Sequence, residues 1–130
     1  MFVDSSVLVA ILSEEEDADD WAGRIEKAAS CTTSALVVLE TAMRLSSKLA
    51  VEPLEAGAAV HRFLADAGIA LVAIEPADAD LAINAFQEYG KGRGHPARLN
   101  LADCLAYACA KRLGVTLLYK GGDFAHTDLA

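Results

Sequence analysis

The chain opens MFVDSSVLVAIL over residues 1–12, and the reading of that stretch decides the fold. Phe2 and Val3, closed by Asp4, read as a short strand that runs directly into an apolar helical turn through Leu12. The same grammar returns along the chain. Residues 31–33 (Cys-Thr-Thr) are a short strand candidate, and Ser34 is placed to cap a helix through about Leu49. Pro53 suits a first helical turn, and Gly68 stops the helix that it begins near Ala67. Residues 69–75 (IALVAIE) are apolar and bounded by Gly68 and Pro76, so they read as a buried strand. Pro76 opens a further helix ending near Gly90. Residues 91–100 (KGRGHPARLN) form a loop on their Gly and Pro content. Asn100 caps a helix through Arg112, which Gly114 ends, and residues 115–119 (VTLLY) give the last clear strand. Ser13 and Glu16 have capping-box spacing, which predicts a helix over about 14–29.

Short apolar strands alternating with helices imply an α/β domain: a parallel sheet with helices on both faces. Right-handed crossovers place every strand-to-helix loop at the carboxyl edge of such a sheet, where ligands usually bind. The 130 residues fit one domain, with 54% hydrophobic and 23% charged residues. The net charge of -8, from 19 acidic and 11 basic residues, argues against binding nucleic acid or an anionic membrane through overall charge. Cys31, Cys104 and Cys109 are odd in number and lack CxxC spacing, so they read as small hydrophobes in a reducing compartment. His61, His95 and His126 are scattered and form no zinc pattern. The first twelve residues lack a basic n-region and are interrupted by Asp4, which reads as neither signal peptide nor membrane span. A cytoplasmic protein is the expectation.

Four acids stand where a solvated face does not explain them. Asp4 closes the first strand, which puts it at the carboxyl edge, although it also suits an N-cap. Glu40 lies inside SALVVLETAMRL, within the apolar stripe Leu36, Leu39 and Met43; pairing with Arg44 is the local alternative. Asp103 is the only charge in LADCLAYACA, a helix apolar nearly all round, where it also has capping-box spacing to Asn100. Asp123 follows the last strand and Gly121-Gly122, an ordinary turn at the same edge. By contrast Glu14, Glu15, Glu16, Asp17, Asp19 and Asp20 read as a solvated helix start. Carboxylates a few ångströms apart cannot all stay ionised without a cation, and Mg²⁺ or Mn²⁺ is the natural oxygen-preferring ion. No Walker loop and no GxGxxG occurs.

The order Asp4, Glu40, Asp103, Asp123 resembles the PIN-domain nucleases, and the whole chain is similar to VapC-type ribonuclease toxins of toxin–antitoxin pairs. The resemblance rests on MFVDSSVLVAIL, SALVVLE, KGRGHPARLNLADCLAYACAK and LLYKGGDF. It implies a three-layer α/β/α PIN-like fold with about five short parallel strands, as one domain over residues 1–130. It implies that Asp4, Glu40, Asp103 and Asp123 are catalytic, that Asp4 and Asp103 hold Mg²⁺ (or Mn²⁺), and that Ser6 is the small polar residue beside the first acid. The implied reaction is hydrolysis of RNA phosphodiesters by a metal-activated water. The implied partners are a small antitoxin and a second copy of the chain, with no membrane.

The charge objection is met locally. Residues 1–20 hold seven acids and no Lys or Arg; residues 81–122 hold six bases against Glu88 and Asp103. Lys91, Arg93 and Arg98, on the Gly-rich loop, are placed to grip RNA phosphates. Tyr89 and Tyr107 could stack a base, though packing suits each better; His95 beside Pro96 reads as loop-shaping. The helix carrying Leu36, Leu39 and Met43 and the one carrying Val60, Phe63 and Leu64 are candidate contact faces. The competing readings are a phosphoacceptor signalling domain, which would use Lys120, and a catalytically silent PIN interaction module.

Overall fold

Phe2 and Val3 form an inner strand of a sheet in the computed structural model, which describes residues 1–130. The strands are β1 (Phe2–Val3), β2 (Cys31–Ser34), β3 (Ile69–Val72) and β4 (Leu117–Leu118). They lie in the order β3-β2-β1-β4, all parallel. Phe2 is opposite Thr32 on one side and Leu117 on the other; Val3 is opposite Leu118. Successive strand residues point to opposite faces, and Phe2 and Val3 are both 0% exposed. Both faces of the sheet are therefore covered, as the α/β reading requires.

Four strands form where about five were expected. Residues 90–99 contribute only a single parallel bridge, Gly90 to Leu99, because the intervening Gly and Pro residues turn instead of extending. The stretch 69–75 is strand only to Val72 and is not wholly buried. It pairs with β2 alone, so its outer edge meets solvent and Ala70 and Leu71 are exposed.

Six helices fill the connections: α1 (Ser5–Leu12), α2 (Ala18–Lys27), α3 (Ala35–Leu49), α4 (Pro53–Ala67), α5 (Pro76–Tyr89) and α6 (Leu101–Leu113). Gly68 and Gly114 take left-handed conformations as the C-caps of α4 and α6, as read from the sequence. Ser34 caps α3 through the Val37 amide. The helix expected over 14–29 begins only at Ala18. Ser13 instead ends α1, its hydroxyl donating to the Val9 carbonyl at 2.6 Å, and Glu14 is left-handed with φ 54°. The Ser13 amide donates to the Val9 carbonyl at 2.9 Å and not to Glu16, so capping spacing alone did not make a helix start.

The core gathers Phe2, Leu8, Leu45, Leu99, Leu118 and Phe124 between the helices and the sheet. Val60 and Leu64 belong to it, which removes them from the candidate contact faces. All three cysteines are free and buried. Asp78 on α5 is wholly buried and accepts from the Arg112 Nε of α6 at 2.6 Å, tying the two helices together. No helix is long and apolar enough to cross a membrane.

Candidate functional site

The end of β1 delivers Asp4 to the carboxyl edge, where it is 5% exposed and serves as the N-cap of α1. Its Oδ2 accepts from the Ser6 amide (3.0 Å) and the Ser6 hydroxyl (2.6 Å). The Ser6 hydroxyl in turn accepts from the Lys120 amide at 2.9 Å, just beyond β4. The first acid is thus held by the two segments that leave neighbouring strands. Burial raises the Asp4 carboxyl above its ordinary range; the Ser6 bonds oppose this, and the charge of Glu40 adds to it.

Asp103 arrives from the other direction, in the first turn of α6. The expected capping box forms: the Asp103 amide donates to Asn100 Oδ1 (2.9 Å) and the Asn100 amide donates to Asp103 Oδ2 (3.1 Å). Capping does not exhaust its role. Asp103 is 6% exposed, and burial chiefly pushes its carboxyl up to about 7. The Asn100 amide opposes that rise, while the negative charges of Asp123, Asp4 and Glu40 reinforce it. Asp4, Glu40 and Asp123, from distant stretches, thus all lie near enough to act on Asp103. Asn100→Ala is expected to cost about 1 kcal/mol, since it removes one half of the box. A shift in the denaturant midpoint would measure it.

Glu40 sits on α3, but not within a buried stripe. Leu39 and Met43 are 56% and 60% exposed, and the buried face of α3 is Val37, Thr41 and Leu45. The local alternative, a pair with Arg44, does not form: no carboxylate lies within ion-pair distance of Arg44. Glu40 accepts a short hydrogen bond from Ser5, and Arg44 Nη1 reaches the Ser5 hydroxyl at 3.5 Å. Ser5, which the sequence reading did not single out, joins the acidic cluster through Glu40. Its signal was a second serine, next to Asp4, at the start of an otherwise apolar helix. Asp123 is exposed, and its charge acts on Asp103.

The acidic block at 14–20 is not simply solvated. Glu15 bridges Lys48 (2.8 Å) and Lys120 (2.6 Å), and Asp17 binds Lys120 at 2.8 Å. The Lys120 amine is occupied there, which removes the group that a phosphoacceptor pocket would need beside Asp4. Lys91, Arg93 and Arg98 are exposed and carry no ion pair. His95 shapes their loop, its Nδ1 accepting from the Ala97 amide at 3.1 Å while its ring packs edge-on against Tyr89. Tyr89 and Tyr107 are each 7% exposed, and Tyr107 donates to Asp128 at 2.6 Å, so both pack and neither offers a face to a base.

No three Asp, Glu, His or Cys side chains gather tightly enough to cage an ion unaided. The donor set nevertheless fits one kind of ion. Asp4 and Asp103 are hard oxygen donors, both buried and both destabilised as anions, which an open Mg²⁺-type site of one or two carboxylates and several waters would relieve.

The PIN domain family model matches residues 1–129. The chain is 42% identical to the VapC ribonuclease Mb0640 of Mycobacterium bovis over 130 residues, covering all of this chain and 96% of that one. It is 43% identical to ribonuclease VapC of Mycolicibacterium smegmatis, covering 100% and 98%. Among solved structures it resembles the sarcin-ricin loop cleaving toxin VapC20 of Mycobacterium tuberculosis, with TM-score 0.74 at 17% identity over 95% of this chain and 92% of that one. A toxin–antitoxin complex from Klebsiella pneumoniae aligns with TM-score 0.72 at 16% identity, over 98% and 92%.

Proposed function

This chain belongs to the PIN-domain family, in its VapC group, and from that premise we propose that it is a divalent-metal-dependent endoribonuclease toxin restrained by a cognate antitoxin. The observation that carries the proposal is the meeting of two buried carboxylates, Asp4 at the start of α1 and Asp103 at the start of α6, with Glu40 and Asp123 close enough for their charges to add to the rise that burial imposes on Asp103. Two buried carboxylates, with the charges of half-buried Glu40 and exposed Asp123 added to theirs, call for a cation. Asp4 and Asp103 would hold Mg²⁺ or Mn²⁺, which would neutralise a phosphate oxygen and make water acidic enough to attack in line.

The protein's own groups have separate tasks in that scheme. Ser6, fixed by the Lys120 amide, holds Asp4 in one rotamer. Ser5 does the same for Glu40. Glu40 and Asp123 orient water around the site or receive its proton. Lys91, Arg93 and Arg98 draw RNA phosphates toward a pocket that would otherwise repel them. Because water attacks in place of the ribose 2′-hydroxyl, cleavage leaves a 3′-hydroxyl and a 5′-phosphate. A labelled RNA incubated with Mg²⁺ or Mn²⁺ tests this directly. The expected result is chelator-sensitive cutting with 5′-phosphate products; cyclic phosphate products would overturn the water mechanism, and cutting undiminished by chelator would overturn the metal.

The partners follow the exposed apolar surface. Ala79, Ala82, Ile83, Phe86, Leu101 and Leu105 line an apolar groove between α5 and α6, a face suited to a second copy of the chain. Phe86→Asp is expected to convert a dimer to a monomer by light scattering, while the far-UV circular dichroism is unchanged. The antitoxin is proposed to cover the exposed Leu39 and Met43 face of α3, beside Glu40. Residence in the cytoplasm completes the reading.

A further inference from the structure

Resting on that nuclease reading, we propose that Arg44 anchors the RNA phosphate next to the one being cut, with the adjoining nucleotide lying in the groove between α1 and α3. The protein has eleven Lys and Arg residues. Lys48, Lys111, Arg112 and Lys120 are taken up by carboxylates, and Arg24 lies over the Trp21 ring. Of the remainder only Arg44 touches the acid cluster, through the Ser5 hydroxyl that binds Glu40. It is exposed, and although Glu40 stands one turn away the two do not pair. A planar guanidinium left without a carboxylate at the rim of an acidic pocket is suited to a phosphate, which it can grip with two parallel bonds.

The surface beside it mixes apolar, hydroxyl and cationic groups, as a nucleotide requires. Val9, Glu15, Met43, Arg44, Ser47 and Lys48 line an open groove. Glu15 binds both Lys48 and Lys120, so its charge does not repel a polyanion entering there. Met43 is largely exposed and offers an adaptable apolar surface to a ribose or base, and Ser47 a hydroxyl. Arg44 on α3 would add a phosphate anchor separate from the exposed Lys91, Arg93 and Arg98 on the loop beyond α5. The net charge of -8 makes such local anchors necessary.

The test is binding of a fluorescein-labelled single-stranded RNA by anisotropy on the D103N background, beside steady-state cleavage by chains carrying Arg44→Gln or Arg44→Lys alone. R44Q is expected to raise Kd and KM about tenfold, as loss of a charged hydrogen bond does. The loss should fall on KM more than on kcat. The slope of log Kd against log salt should shrink by about 0.7 for one lost phosphate contact. R44K should restore the slope but only part of the affinity. An unchanged Kd and slope in R44Q would overturn the groove while leaving the nuclease reading intact. A fall in kcat at constant Kd would also overturn it, placing Arg44 as a positioning residue for Glu40 through Ser5. RNA binding weakened by R44Q, with no cleavage by the unsubstituted chain under any divalent ion, would instead remove the nuclease reading and keep the groove.

Discussion

Asp103→Asn is expected to reduce metal-dependent RNA cleavage by about a thousandfold or more. The estimate follows from the several kcal/mol that a catalytic ion supplies, at about 1.4 kcal/mol per factor of ten. Asp4→Asn should do the same. The substitutions are nearly isosteric, and the local bonds survive them: the Asn100 amide can still donate to a side-chain oxygen at 103, and the Ser6 groups to one at 4. The fold should therefore persist, and loss of activity should appear with an unchanged circular dichroism spectrum. Asp123→Asn, on an exposed turn, should cost far less. Equal activity in all three variants would place the cleavage centre elsewhere on the molecule.

The second large effect is on stability. The Asp103 carboxyl is raised from 3.8 to about 7 by folding. Between those values the folded protein keeps a proton that the unfolded chain has released, so stability must fall as pH rises through the window. The loss is on the order of a few kcal/mol, with the Asp4 shift acting in the same direction. The carboxylates held by lysine or arginine behave oppositely. Glu15, Asp17, Asp78 and Asp128 are lowered, so their contribution is complete above the ordinary carboxylate range and disappears only in acid.

In chelator, the melting temperature should thus decline from about pH 5 to pH 7.5. Mn²⁺ at a hundred times its Kd should return about 2.7 kcal/mol at the upper end. At pH 5 the ion should do little, because protons already occupy the site. Asp103→Asn should flatten the profile and make the metal-free protein more stable at pH 8 while abolishing cleavage. This is the pattern of a site that holds repulsion for a cation to relieve. A profile equally steep in D103N would show that other groups set it.

The candidate site was legible as four acids in unusual company, but each for a different reason. Asp103 stood out because a lone charge in LADCLAYACA needs an explanation, and its capping box with Asn100 was readable from spacing. Asp4 stood out through the strand that it ends. Glu40 was singled out for an apolar stripe that is in fact exposed; its place beside Ser5 depends on α1 lying against α3. The lysine network on Glu15 and Asp17 was invisible, since Lys120 is 105 residues from one and 103 from the other.

Sequence alone determined what depends on neighbours along the chain. The apolar strand ended by Asp4, the serine and asparagine caps, the glycine stops and the alternation of strand with helix are fixed by local sterics and hydrogen bonding, which act over a few residues. Tertiary structure decided what depends on packing between distant segments. It set four strands in place of five, moved the start of α2 past residues 13–17, buried Val60 and Leu64, and gave Asp103 a carboxyl that resists ionisation. Those outcomes rest on solvent exclusion and on Coulomb fields, and both are set by distance through space and not by separation along the chain.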